Sequence, residues 1–286
     1  MTAYSRNLDR IDCPAVSSTV NYLGDMDEFP VFYSENYQNN NLKLVEHHIT
    51  IHDVRPVAAQ LALEEGGFRL VDHPTAVTDF TDEAQVTNIY MPEITALVRE
   101  LTGAPKVVTT RTVLRWSERA GDTTAFINSR PARFVHVDYS RQSFDDFARM
   151  HLATVGEPDP ERWLAGRYVA YNIWRVTTPP PQDVPLTVCD ARTTRPEDVV
   201  TGEAVIDRKG MPEMRFGSSL YHHNPAHRWF YFSNMRPDEA IVFKAFDSER
   251  GRVQGCPHSA FNHPDCAPDV PPRGSVEIRA YAYYGK

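Results

Sequence analysis

From residue 106 onward the chain alternates between apolar and polar positions in short runs. RFVHVDYS (133–140), RYVAYNIWRVTT (167–178), LTVCDART (186–193), RWFYFSNM (228–235), EAIVFKAFD (239–247) and SVEIRAYAYY (275–284) are rich in Val, Ile, Tyr, Phe and Trp. Pro, Asp and Gly separate them, so they read as strands divided by turns. Ahead of them LKLVEHHITIHDVR alternates over 42–51 and predicts one more strand. Three stretches have helical spacing instead. PVAAQLALEEGGF predicts a helix over 57–65, stopped by Gly66 and Gly67. NIYMPEITALVRELTGA places Ile94, Leu97, Val98 and Leu101 on one face and ends at Gly103. FDDFARMHLATVG puts Phe144, Phe147, Met150 and His151 together.

Helices first and many short strands afterwards predict an α+β arrangement around a jelly-roll or barrel. The proline tract 177–185 reads as a loop inside the domain, because strands continue on both sides. No repeat divides the chain, so 1–286 is expected to be a single domain. Within it 1–110 is a helical and strand elaboration and 111–286 the β core. Segments 1–45 and 208–220 are candidate lids.

Composition narrows the function classes. A net charge of −8 argues against nucleic acid, which requires a basic face. No apolar run approaches the ~18 residues of a membrane span, and the N-terminus lacks the apolar core of a secretory signal. A cytoplasmic protein is the expectation. Cys13, Cys189, Cys256 and Cys266 show no paired spacing, so neither a disulfide scaffold nor a thiolate zinc site is expected.

Candidate chemistry begins in RFVHVDYS. On a strand, residues two apart share a face, so Phe134, His136 and Asp138 point one way and Val135 and Val137 the other. GCPHSAF supplies His258 downstream. Two histidines and a carboxylate are the facial ligand set of non-haem Fe(II) oxygenases, which leaves positions open for co-substrate and O2. Arg273 and Ser275 again share a strand face. A 2-oxoglutarate co-substrate chelating the iron would leave a buried distal carboxylate, and a guanidinium is its natural partner. Ser275 would add a hydrogen bond. Other histidines compete as decoys: His47, His48 and His52 read as surface or packing groups, His227 as structural or capping, and His151 as a core histidine.

These motifs, in order, resemble the hydroxylase/desaturase family of microbial secondary metabolism. The stretches that carry the likeness include GGFRLVDHPTAVTDF, YMPEITALVRELTGAPKV, RFVHVDYS, YNIWRVTTPPPQDVPLTVCDART, HRWFYFSNMRPDEAIVFKAFDS, CPHSAF and PRGSVEIRAYAYY. The resemblance implies a double-stranded β-helix (a cupin-like jelly-roll) with flanking helices, Fe(II) and 2-oxoglutarate. His136, Asp138 and His258 would then bind iron, and Arg273 with Ser275 the co-substrate. The reaction implied is oxidation of an unactivated C–H bond of a small biosynthetic intermediate by O2, with succinate and CO2 as co-products. Hydroxylation, desaturation and cyclisation are all open outcomes.

Asn172 and Trp174 alternate on one face of YNIWRV and read as pocket residues, against ordinary core packing. Asn172 is expected at the keto-acid carboxylate of the co-substrate and Trp174 at the substrate. Arg279 shares the face of Arg273 but stands six residues on, roughly 20 Å at ~3.3 Å per residue. It is expected to meet a carboxylate-bearing substrate, with an exchange of roles between the two arginines left open. Lys244 reads as a solvated residue rather than a co-substrate lysine, and Asp190 and Asp247 as turn or network residues. Two rival readings fit the residues less well. A methyltransferase would require a Gly-rich loop between strand and helix, which is absent. A cupin-like non-oxidative metalloenzyme or binding protein has no use for a buried Arg273.

Overall fold

The computed structural model describes residues 13–110, 112–116, 128–207, 210 and 212–286. Its first eight strands are β1 (Ala15–Leu23), β2 (Val31–Tyr33), β3 (Leu44–Asp53), β4 (Phe68–Asp72), β5 (Lys106–Thr109), β6 (Val113–Trp116), β7 (Asn128–Ser129) and β8 (His136–Val137). The second eight are β9 (Arg167–Val176), β10 (Leu186–Cys189), β11 (Val199–Ile206), β12 (Met214–Tyr221), β13 (Trp229–Tyr231), β14 (Glu239–Asp247), β15 (His258–Ala260) and β16 (Gly274–Gly285). Two longer helices intervene, α1 (Met91–Thr102) and α2 (Arg141–Thr154).

The strands form two sheets of a double-stranded β-helix. The larger runs β1-β3-β13-β10-β15-β8-β12-β11-β2, and the smaller β4-β14-β9-β16-β6-β7, with β5 also paired to β16. Strands from before and after residue 110 therefore share both sheets. Register defines the inward face of the smaller sheet. Ile241 stands opposite Trp174 and Phe243 opposite Asn172, while on the other side of β9 Glu277 meets Trp174 and Arg279 meets Asn172. Ser275 lies opposite Arg115 on β6.

The space between the sheets is apolar at one end, where Trp174, Val176, Ile241 and Phe243 pack against Leu186, Val188, Phe230 and Phe232. On the outer side of the smaller sheet, Ile94, Leu97 and Val98 of α1 cover Tyr171, Ile173, Val276 and Ile278. Gly103 ends α1 at φ 68°, a left-handed cap that glycine adopts without a Cβ clash.

Three expectations change. The segment 57–65 is not a helix: a 3₁₀ stretch covers Arg55–Gln60, Val57 departs from helical angles, and Leu61 is extended. Leu63 packs in the core under α1 and Leu61 in the core between the sheets, with the backbone extended at Leu61. On α2 the buried positions are Ser143, Phe144, Ala148 and Leu152, whereas Met150 is exposed. The helix is rolled toward β16, whose Tyr283 hydroxyl donates to the Ala148 carbonyl at 2.7 Å. Of the candidate lids, Met214–Tyr221 is a full strand paired to β11 and β8, and Ala15–Leu23 pairs with β3. The parts of those segments at 1–12, 208, 209 and 211 lie outside the described residues, as does Arg111.

Candidate iron and co-substrate site

β8 is two residues long and lies between β12 and β15. Val135 and Val137 turn to an aromatic cluster with Tyr221, Trp229 and Tyr231. His136 turns the other way and stands directly opposite His258 of β15, ring centroids 4.3 Å apart. With Asp138 these two offer donor atoms that all lie within 4.8 Å of one another, each residue buried. His136 Nδ1 donates to the Phe134 carbonyl at 2.9 Å and His258 Nδ1 to the Cys256 carbonyl at 3.2 Å. A carbonyl only accepts, so both Nδ1 atoms carry the proton and both Nε2 lone pairs are free to ligate.

Burial, then the neighbouring His258, pushes His136 down to about 3, and burial also lowers His258. The neutral imidazoles a metal requires are thus the resting forms. Burial alone would raise the Asp138 carboxyl. The Arg279 charge, with the two histidines and Asn172, reverses that and holds it well below the usual carboxylate range. Arg279 Nη2 donates to Asp138 Oδ1 at 2.8 Å and Nε to Oδ2 at 3.1 Å. Asn172 Nδ2 also donates to Oδ2. The donor set, two neutral imidazoles and one carboxylate, fits Fe(II).

Immediately before β16 a second feature is unusual. Arg273 is 1% exposed, and its Nε and Nη2 meet no acceptor. Its guanidinium lies over the Trp174 ring at 5.3 Å, and its backbone N–H is held by Asp183 at 2.9 Å. Burial, then the Arg115 charge, pushes its pKa down to about 9. A buried cation without a carboxylate is costly unless a ligand supplies one. Ser275 Oγ, one inward position on, donates to the Arg115 carbonyl at 3.5 Å. The orphaned guanidinium fits the distal carboxylate of 2-oxoglutarate.

The structure thus brings His136, Asp138 and His258 together and sets Arg273, Ser275 and Trp174 on the facing sheet. Trp174 lies under Arg273. Asn172 reaches Asp138, leaving its Oδ1 unpartnered. Arg279 is engaged by Asp138 and by Glu277 Oε1 at 3.0 Å. Glu277 escaped the sequence reading, although its alternation with Ser275 and Arg279 already placed it inward. Elsewhere, His47 stacks on His223 with centroids 3.9 Å apart, and His227 bridges Tyr22 and Asp198. Lys244 is not solvated: it is fully buried, 2.9 Å from both Glu64 and Asp247.

A family model described as an oxidoreductase/YMDC permease-like domain matches residues 20–283. The Fe(II)/2-oxoglutarate-dependent dioxygenase nvfI of Aspergillus novofumigatus is 30% identical over 251 residues, 86% of each chain. The chain belongs to the Fe(II)/2-oxoglutarate-dependent oxygenases. This oxygenase is also 28% identical over 293 residues to the hydroxylase/desaturase efuI of Hormonema carpetanum, covering 96% and 97% of the two chains. Among solved structures, the iron and alpha-ketoglutarate-dependent endoperoxidase NvfI superposes with a TM-score of 0.81 at 25% identity, over 95% of this chain and 98% of that one. The oxygenase is therefore an enzyme of the oxidative class, and the non-oxidative cupin-like alternative gives way. Among its described residues no helix is long and apolar enough to cross a membrane.

Proposed function

We propose that His136, Asp138 and His258 bind Fe(II), and that Arg273, assisted by Ser275, anchors the distal carboxylate of 2-oxoglutarate. The observation that carries this reading is the buried guanidinium of Arg273, whose Nε and Nη2 meet no acceptor, together with the three clustered donors. Between the two arginines whose roles were open, Arg273 is favoured because the Nε and Nη2 of Arg279 are engaged by Asp138 and Glu277.

When bound, iron would activate O2, the oxidant, with 2-oxoglutarate giving up two electrons as it becomes succinate and CO2. The chain's own residues bind and orient. The backbone carbonyls of Phe134 and Cys256 hold the two imidazoles, Phe243 packs against the His258 ring at 4.8 Å, and Trp174 supports the Arg273 guanidinium. Apolar walls of this kind exclude water from the reacting centre. The substrate is a small molecule of a biosynthetic pathway, oxidised with O2 at an unactivated C–H bond. Hydroxylation and desaturation are the proposed outcomes, by likeness to relatives of that name. A carboxylate-bearing substrate is not part of the proposal, because Arg279, on which that expectation rested, is engaged by Asp138 and Glu277. The proposal also places the enzyme in the cytoplasm, acting on neither nucleic acid nor membrane; the net charge of −8 supports the first exclusion.

The test is an anaerobic visible titration of apoprotein with Fe(II) and then 2-oxoglutarate. A weak charge-transfer band appearing on the second addition is expected. Iron binding with no band on 2-oxoglutarate addition would remove the co-substrate assignment.

A further inference from the structure

Asp138 is the one charged member of the donor cluster, and its carboxylate is already heavily engaged. A carboxylate has about four lone-pair positions. Arg279 Nη2 takes one on Oδ1, and Arg279 Nε and Asn172 Nδ2 take both on Oδ2. One position on Oδ1 is left. We propose that Arg279 and Asn172 are positioning residues that restrict Asp138 to single-oxygen ligation of the metal. This rests on the iron-site reading above, and it assigns Arg279 and Asn172 to the metal ligand rather than to substrate and co-substrate.

The geometry is built in, not incidental. Arg279 and Asn172 are direct cross-strand partners on the inward face of the smaller sheet, so their side chains rise side by side toward Asp138 on the larger one. Asn172 is fully buried in the middle of β9. Arg279 is held from its other side by Glu277, two residues back on the same strand face. The planar guanidinium matches both carboxylate oxygens at once, which an ammonium cannot do. Charge balance is preserved as well. Arg279 alone would cancel Asp138, and Glu277 restores one negative charge to the group that faces the metal.

Restriction to one oxygen matters because a carboxylate that binds through both takes an extra coordination position. The facial ligand set works by leaving positions open. Partners of metal ligands that fix orientation in this way typically matter 10–100-fold in metal affinity.

The experiment is an anaerobic Fe(II) titration of Arg279→Lys, Asn172→Ala and the parent protein, with circular dichroism and melting of each apoprotein. Arg279→Lys keeps the charge and loses the fork, so a role through charge alone would be rescued. The expected result is a rise in the Fe(II) Kd of at least about tenfold in both variants, with a displaced charge-transfer band on adding 2-oxoglutarate. Asn172→Ala, a neutral truncation, keeps the test decisive where a buried lysine prevents folding. Folded variants that bind Fe(II) within about twofold of the parent, with the band unmoved, would overturn the inference while leaving the iron site standing. A parent that binds no Fe(II) would overturn both.

Discussion

The guanidinium of Arg273 lies 5.3 Å above the indole of Trp174, with Nε and Nη2 meeting no acceptor. The stacking holds the cation in place, and the proposed function gives those two donors to the distal carboxylate of 2-oxoglutarate. Arg273→Ala should therefore raise the Kd for 2-oxoglutarate at least about 100-fold, the 3–5 kcal/mol scale of a broken buried ion pair. Fe(II) affinity should stay within about threefold. Both are read from one anaerobic titration of the charge-transfer band.

The same residue should be a liability for stability when no co-substrate is bound. Arg273→Met replaces an unpaired buried cation with an apolar chain of similar length. The apoprotein should gain about 1–3 kcal/mol, seen as a higher melting temperature without 2-oxoglutarate. A melting temperature that falls would mean the guanidinium is satisfied within the protein.

His136→Ala and Asp138→Ala should each abolish stoichiometric Fe(II) binding, because the remaining two donors no longer form the ligand set. The fold should persist, since the strand carrying them is held by β12 and β15 through its backbone. Equilibrium metal analysis of the folded variants checks this, and parent-like iron content would refute the ligand assignment.

His151 gives a pH prediction. Burial, followed by the Arg279 charge, pushes its pKa down to about 4, from an ordinary value near 6.5. Between those two values the unfolded chain takes up a proton that the folded protein refuses. Stability therefore falls as the pH drops through that window. His151→Gln should remove up to about 2 kcal/mol of the decline between pH 7 and pH 4.5, measured by urea denaturation at both.

Lys244 tests the scaffold apart from the site. It is fully buried between Glu64 and Asp247, on the opposite face of β14 from the inward Phe243. Lys244→Met leaves Asp247 with Arg167 as its cation. It should cost about 3 kcal/mol, read as a lower urea midpoint with unchanged Fe(II) affinity.

What the sequence by itself determined was whatever depends on strand periodicity. His136 and Asp138 had to leave the backbone on one side with Val135 and Val137 on the other. Likewise Arg273, Ser275 and Arg279 had to line one face, because alternation along a strand is a local geometric fact. The glycine that closes α1 was legible for the same reason. Tertiary structure decided what each face met. Only the pairing of β8 with β15 sets His258 opposite His136, and only the facing of two sheets gives Arg279 to Asp138 and leaves Nε and Nη2 of Arg273 without an acceptor. The helix foreseen over 57–65 gives way to a 3₁₀ stretch that ends in extended backbone at Leu61, and Lys244 is buried because Asp247 and Glu64 await it there. Register between strands more than a hundred residues apart is set by the packing of whole sheets, which no local spacing encodes.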